Sequence, residues 1–147
     1  MYETYKNLVY RISVIYLGNT FDAEDLVQNV FVSYYKRLPK FESQEHARNW
    51  FARVTVNMCI NFRKSYWRRF VDKADEIDVP ENMNVERIEI LDILSVLPDK
   101  SRLIMLLYYY EQYTVGDIAG IMNMSESAIK MQLKRSREKL KEVLGDE

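Results

Sequence analysis

Hydrophobic side chains recur at helical spacing along nearly the whole chain. From Tyr5 to Tyr16 they return every three or four residues, which is the period of one face of an α-helix. Gly18 and Asn19 follow, and both residue types end helices because they tolerate a left-handed backbone. The pattern therefore predicts an amphipathic first helix that ends near Gly18.

The next segments predict two more helices with a short loop between them. Asp22 is the expected N-cap of the second helix, with Asp25 at its N3 position, and the helix is expected to end at Leu38, before Pro39. Residues 42–46 are polar and predict a loop. A long third helix is expected from about residue 47 to about residue 70, because this stretch contains neither Gly nor Pro.

An acidic stretch at residues 72–86 interrupts the helical pattern and contains Pro80 but few large apolar side chains. This composition predicts a linker between two small helical domains, at residues 1–71 and 87–147. Pro98 is expected to end a helix of the second domain, and the apolar run at 103–110 predicts a buried central helix. With only four Gly and three Pro available for turns, the fold class is predicted to be all-α.

Residues 114–141 have the pattern of a helix-turn-helix unit. Thr114 is the expected cap of a short helix, Asn123 permits a tight corner, and Ser125 is the expected cap of the next helix. A cationic face on that second helix suits the major groove of DNA, whereas an ordinary helical hairpin with a solvated face is the alternative. The residues that form or flank this face are Lys130, Met131, Lys134, Arg135 and Arg137.

A polar stripe is predicted on the third helix, where four side chains are spaced by four, four and three residues. Arg and Asn on one face can contact phosphates and base edges, and a Trp at the start of the helix can stack on an exposed base. Alternatively, the Trp is a core residue and the Asn side chains are merely solvated. The candidate nucleic-acid contacts are Arg48, Trp50, Arg53, Asn57, Asn61 and Lys64.

The start of the second helix, at residues 22–31, is a candidate docking surface. Glu24 and Gln28 share an exposed face that can receive a partner helix. Acidic residues at a helix N-terminus also stabilise the helix dipole, so a purely structural role is the alternative.

Two basic segments flank the acidic one, although the net charge of the chain is only −1. Lys and Arg outnumber acids at residues 48–73 and at 130–141, whereas acids dominate residues 74–99. Two separated basic segments suggest two contacts with a polyanion, and solvated helix faces are the alternative.

The residues that enzymes and metal sites require are scarce. The only His is His46, in the predicted loop, and the only Cys is Cys59, which is expected to pack inside the third helix's apolar surroundings. Without partners for a catalytic triad, a metal cluster or a glycine-rich phosphate loop, the sequence favours a protein with no enzymatic activity, metal or cofactor. A single Cys and no apolar run near the roughly 20 residues of a membrane span favour the cytosol.

Three segments together resemble the extracytoplasmic-function (ECF) sigma factors of bacteria. They are residues 22–32 (DAEDLVQNVFV), residues 50–62 (WFARVTVNMCINF) and residues 97–140, which include the helix-turn-helix pattern. The resemblance covers both predicted domains. It implies a cytoplasmic sigma factor that binds core RNA polymerase, recognises the minus-35 and minus-10 promoter elements and promotes opening of the DNA.

The resemblance also implies roles for individual residues in the first domain. The helix that matches residues 22–31 docks on the clamp helices of core polymerase in this family, which assigns docking or its support to Asp22, Asp25, Leu26, Gln28 and Phe31. Residues 42–47 match the pocket that takes a base flipped out of the minus-10 element. Asn57 matches the residue that reads this base, and Asn61 lies one turn further.

In the second domain, the helix from Ser125 matches the reader of the minus-35 element, which assigns DNA contacts to Ser125, Lys130, Met131, Lys134, Arg135 and Arg137. An anti-sigma factor is a common partner in this family and is expected here. A free-standing helix-turn-helix regulator that needs no polymerase, and a helical adaptor without a DNA role, are the alternative functions.

Overall fold

The computed structural model describes the backbone of residues 1–69 and 93–145, and the side chains of residues 1–65 and 93–145. Every regular element in these ranges is helical, so the predicted all-α fold is confirmed. The elements are α1 (Tyr2–Leu17), α2 (Thr20–Arg37), α3 (Gln44–Arg69), α4 (Asp99–Met105), a π-helical segment (Leu106–Tyr110), α5 (Val115–Met122) and α6 (Glu126–Leu144). None of these described helices is both long and apolar enough to cross a membrane.

The start of α2 differs from the prediction, whereas the end of α1 agrees with it. Gly18 ends α1 in the left-handed region (φ 81°), as expected. The N-cap of α2 is Asn19 and not Asp22, because the Asn19 side-chain oxygen accepts a hydrogen bond from the Asp22 backbone N–H at 2.8 Å. Asp22 is the N3 residue, and its carboxylate accepts a 2.8 Å bond from the Asn19 amide. The first bond caps a backbone N–H of α2, and the second fixes the Asn19 side chain in its capping position.

The predicted loop at residues 42–46 is wrong at its C-terminal end, because α3 begins at Gln44. The Ser43 hydroxyl accepts a bond from the His46 backbone N–H at 3.0 Å, which caps the first turn of α3. His46 is exposed, and its ring nitrogen accepts a bond from the Glu42 N–H at 3.1 Å. The polar residues of this stretch therefore start a helix.

The apolar run at 103–110 is helical, but it changes from α-helix to π-helix at Leu106. The wider turn is closed by a 2.9 Å bond from the Glu111 N–H to the Leu106 carbonyl, and a 2.9 Å bond from the Tyr113 N–H to the Leu107 carbonyl follows. The segment after the π-helix contacts the first half of the chain through Glu111 and Tyr113. The helix predicted to end at Pro98 lies mostly outside the described residues.

The two halves of the chain pack against each other. Helix α1 packs on α2 and α3 within the first half and on α4 of the second half, while α3 packs on α5. Buried apolar side chains form one continuous cluster through both halves. The predicted linker at residues 72–86 lies outside the described residues, and the domain boundaries stay a prediction.

Cationic side chains stabilise the junction at the C-terminal end of α1. The last carbonyls of a helix have no partner within the helix and carry the negative end of its dipole. Arg63 of α3 donates to the carbonyls of Tyr16 (2.7 Å) and Leu17 (3.1 Å), and Arg102 of α4 donates to that of Ile15 (3.1 Å). One helix end therefore receives a guanidinium from each half of the chain.

Cys59 is fully buried on α3, in agreement with its predicted packing role. Burial raises the pKa of this thiol to about 12, although a hydrogen bond with Ser13 and the charge of Arg63 act in the opposite direction. An unfolded thiol ionises near pH 8.5 to 9, so the unfolded chain loses a proton there that the folded chain keeps. The contribution of the Cys59 thiol to the free energy of unfolding is fully present below that pH and is lost progressively as the pH rises toward 12.

We therefore expect the free energy of unfolding to fall above pH 9 by about 1.4 kcal/mol per pH unit on account of Cys59. Urea unfolding at pH 8, 9, 10 and 10.5 measures this slope. Because burial also raises the pKa of Tyr16 and Tyr113, the comparison is with Cys59→Ala, whose slope should be shallower by that amount. Equal slopes in both proteins would show that the thiol does not contribute.

Candidate nucleic-acid interfaces and docking surface

The second half contains a helix-turn-helix unit whose three predicted local signals are confirmed. The Thr114 hydroxyl accepts from the Asp117 N–H (3.1 Å), and the Asp117 carboxylate accepts from the Thr114 N–H (3.4 Å), which completes a capping box at α5. Asn123 has a left-handed backbone (φ 55°). The Ser125 hydroxyl accepts from the Ala128 N–H (3.1 Å) and caps α6.

Helix α6 separates into a packed face and a solvent-facing cationic side. Ile129 and Leu133 are buried, and Gln132 accepts a 2.9 Å bond from the Ser101 hydroxyl of α4, which fixes the rotation of the helix. The predicted contacts on the other side are all exposed, namely Lys130, Met131, Lys134, Arg135 and Arg137. Ser125 lies at the start of the same helix, with its hydroxyl engaged in the cap.

Tyr109 extends the cationic side of α6 and was not predicted to do so. Its hydroxyl accepts a 3.0 Å bond from Arg137, and the residue is 53% exposed. The sequence pattern hides this tyrosine, because it lies within an apolar run that predicts a buried helix.

All four positions of the predicted polar stripe on α3 are exposed, namely Arg53, Asn57, Asn61 and Lys64, whereas the other two candidate contacts, Arg48 and Trp50, are half-buried. Trp50 is half-buried and packs edge-on against Phe51 at 5.0 Å and Phe41 at 5.7 Å between ring centroids. Trp50 thus joins an aromatic cluster and also keeps part of its surface in solvent. The cluster includes Phe41, which precedes the predicted base pocket at residues 42–47.

Arg48, the sixth candidate, is engaged by the second half of the chain. Its guanidinium donates to the Glu111 carbonyl oxygen at 2.7 Å and lies 4.1 Å from the centre of the Tyr113 ring. The Tyr113 hydroxyl in turn donates to the Arg48 carbonyl at 3.2 Å. Burial raises the pKa of Tyr113 above its ordinary value, so the hydroxyl stays a donor into alkaline pH. Arg48 is therefore separated from the exposed stripe.

The Glu111 carboxylate also binds Arg11 of α1, at 2.6 Å and 3.0 Å. Burial lowers the pKa of Arg11, but the hydrogen bonds and charge of Glu111 outweigh it, so the pKa is raised overall. Glu111 is a buried acid, with a side chain only 4% exposed. No spacing rule in the sequence links it to Arg11.

The candidate docking residues on α2 divide into two groups. Asp25 and Gln28 are exposed and Asp22 is half-exposed at the helix start, whereas Leu26 and Phe31 are buried in the core. The latter two can act only by supporting the helix from beneath.

The exposed part of α2 also contains large apolar side chains that were not predicted as docking residues. Phe21 is 77% exposed, Val32 50% and Tyr35 58%. Positions 21, 25, 28, 32 and 35 follow helical spacing and fall on one face. An apolar stripe combined with Asp25 and Gln28 is typical of a surface that binds a partner. The periodicity was visible in the sequence, but exposure could be judged only from the packing.

Comparisons with known proteins give a consistent result along the chain. Residues 1–69 match the family model for sigma-70 region 2, and residues 87–140 match that for sigma-70 region 4. The ECF RNA polymerase sigma factor SigW of Bacillus subtilis is 26% identical over 98% of this chain and 87% of its own length. SigM of the same organism is 28% identical over 96% of this chain and 91% of its own.

Two solved structures share the fold. The sigma factor RpoE of Bartonella quintana, in complex with the anti-sigma factor NepR, has a TM-score of 0.83 at 17% identity and covers 97% of this chain and 93% of its own. CnrH, in complex with the cytosolic domain of CnrY, has a TM-score of 0.68 at 19% identity and covers 97% and 84%. With both sigma-70 regions matched in order around an all-helical fold, the chain belongs to the sigma-70 family, in its ECF group of transcription-initiation sigma factors.

Proposed function

We propose that this chain binds core RNA polymerase in the cytosol, recognises the minus-35 and minus-10 elements of a promoter and promotes opening of the DNA between them. The observation that carries the proposal is the presence of separate exposed polar faces on α6 and α3, in a chain that contains both sigma-70 regions. One face suits duplex DNA and the other an opened strand.

The α6 face supports binding of the minus-35 duplex. Lys130, Lys134 and Arg137 can contact phosphates or base edges from the major groove, while Met131 offers an apolar contact of the kind that reads a thymine methyl group. Tyr109 holds Arg137 and so restricts where its guanidinium can reach.

The α3 stripe supports capture of the opened minus-10 strand. Asn57 and Asn61 can hydrogen-bond the edges of unpaired bases, Arg53 and Lys64 can neutralise phosphates, and Trp50 can stack on a base. Extracting a base from the duplex costs a few kcal/mol, which such contacts offset. This step requires no bond chemistry from the protein.

The exposed face of α2 supports docking on core polymerase. Asp22, Asp25 and Gln28 provide polar contacts, and Phe21, Val32 and Tyr35 provide apolar area around them. Leu26 and Phe31 fix the helix to the core. An anti-sigma factor is a further proposed partner, since one of the two structural relatives was solved in complex with an anti-sigma factor.

We expect the double substitution Asp25→Ala with Gln28→Ala to weaken binding to bacterial core polymerase about 10- to 100-fold, because each truncation leaves a polar group of the partner unpaired and about 1.4 kcal/mol corresponds to a tenfold loss. Co-elution on size-exclusion chromatography, followed by titration, measures the change. The matched control is Glu3→Ala with Asn7→Ala, which removes an acid and an amide from the exposed side of α1.

No association of the wild-type chain with core polymerase, together with salt-sensitive duplex binding, would favour the free-standing regulator. The Asn57→Ala variant also distinguishes a sigma factor from a free-standing regulator. If the chain is a sigma factor, this variant should lose promoter melting but retain binding to duplex DNA. The fluorescence of a 2-aminopurine placed in the minus-10 element measures the melting.

A further inference from the structure

We propose that Arg11 and Arg48 form a phosphate-binding site for the opened DNA strand, and that Glu111 occupies this site in the free chain. The inference rests on the proposed function and extends it to Arg11. The two arginines come from α1 and α3 of the first half, whereas Glu111 belongs to the second half.

The geometry at Glu111 is that of an anion held by two guanidinium groups. Arg11 binds the carboxylate in a fork, with Nε 2.6 Å from Oε2 and Nη2 3.0 Å from Oε1. Arg48 Nη2 lies 3.5 Å from the same Oε1. A phosphate offers similarly spaced oxygens to a guanidinium fork, so the site that accepts this carboxylate also suits a phosphodiester.

The charge balance of the site favours a further negative group. Two positive guanidinium groups face one negative side chain, which leaves an excess of positive charge in a partly desolvated site. The Arg11 and Arg48 side chains retain 19% and 35% exposure, so the site opens to solvent at its edge. A polyanion that enters from this edge meets the arginines before it meets Glu111.

One short segment, residues 110–113, contacts both arginines. Glu111 lies between Tyr110, whose ring is 5.3 Å from the Arg11 guanidinium, and Tyr113, whose ring is 4.1 Å from that of Arg48. Cation–π contacts of this kind strengthen when the cation is desolvated. Removal of residues 110–113 would therefore expose both guanidinium groups at once.

Occupation of the site links DNA binding to separation of the two halves. Arg48 cannot pair with Glu111 and with a phosphate simultaneously. DNA bound at Arg11 and Arg48 therefore disfavours the closed chain, in which the two halves pack against each other as in this structure. By the same linkage, the closed chain binds the opened strand more weakly than the separated one. In the free protein, Glu111 thus competes with the DNA strand for the two arginines.

The test uses the full chain and a fluorescein-labelled oligo-dT strand, with binding followed by fluorescence anisotropy at fixed salt. Glu111→Gln removes the competing charge and keeps the size of the side chain. We expect about tenfold tighter binding of the strand and a larger radius of gyration by small-angle X-ray scattering. Glu142→Gln, the same change at an exposed position of α6, should alter neither quantity.

A second substitution identifies the site. Adding Arg11→Gln to Glu111→Gln should reverse the gain in affinity, since the phosphate then loses one of its two guanidinium partners. If Glu111→Gln leaves both affinity and radius unchanged, or if the gain survives loss of Arg11, the inference is overturned.

If circular dichroism shows that the Glu111→Gln variant has lost helix, the Tyr113→Phe variant is measured in its place. It removes only the bond from the Tyr113 hydroxyl to the Arg48 carbonyl, and unchanged affinity in this variant overturns the inference. Co-elution with core polymerase tests the proposed function separately. If the chain co-elutes with core polymerase but Glu111→Gln does not bind the strand more tightly, only the role proposed for Glu111 is refuted. If Glu111→Gln binds the strand more tightly but the chain does not co-elute with core polymerase, only the sigma function is refuted.

Discussion

Replacement of Arg102 by Met is expected to lower the free energy of unfolding by about 3–5 kcal/mol. The guanidinium is 9% exposed and donates to the carbonyls of Leu97 (2.9 Å) and Ile15 (3.1 Å), and it pairs with Asp99 at 2.5 Å. Met fills similar space but supplies no donor. The two carbonyls then lose their charged donor in a site that water cannot easily reach. Buried carbonyl groups without a hydrogen-bond donor destabilise the folded state.

Urea denaturation followed by circular dichroism at 222 nm measures this loss. Lys100→Met is the matched control, because Lys100 lies two residues earlier on the same helix and is exposed. It should change stability by less than about 0.5 kcal/mol. If both variants lose the same stability, the effect comes from net charge and not from the buried contacts.

The second large effect is expected for Phe51→Ala, which should cost about 3–5 kcal/mol of unfolding free energy. Phe51 is fully buried, with ring centroids of Tyr5 at 4.7 Å, Phe31 at 5.3 Å and Tyr34 at 5.3 Å. Truncation leaves a cavity where α1, α2 and α3 meet, because rigid helices cannot fully close it.

Phe21→Ala makes the same chemical change at a position that is 77% exposed, so its stability should stay within about 0.5 kcal/mol of the wild type. The midpoint of thermal unfolding separates the pair clearly, since about 4 kcal/mol corresponds to a shift of roughly 10 °C for a chain of this size. A comparable loss in both variants would mean that the aromatic cluster does not stabilise the first half. In the proposed function, Phe21→Ala should instead weaken polymerase binding.

Local rules predicted the parts of the fold that neighbouring residues determine. Thr114, Asn123 and Ser125 were identified from sequence because each acts on a backbone group within three or four residues. The same rules failed at Asn19 and Asp22, since both residue types are good caps and the sequence alone does not distinguish between them. The π-helical segment was also missed, because an apolar run does not reveal which turn is widened.

The candidate site follows the same division. Helical spacing identified the exposed residues Asn57 and Asn61 on α3, because periodicity alone groups side chains on one face. Spacing could not anticipate that Arg48 is held by Glu111, since those residues are 63 positions apart. Glu111 itself looked like an ordinary helix end, and only the folded chain brings it to Arg11.

The end of α1 has a further consequence, for synthesis on the ribosome. Ile15 is made 87 residues before Arg102, so the Ile15 carbonyl and the α1 surface that packs on α4 lack these partners during that interval. At about 5–20 residues per second, the delay is on the order of ten seconds. The nascent first half therefore displays, for a limited time, a surface that the finished chain covers, and a chaperone or partner that binds it has to act during translation.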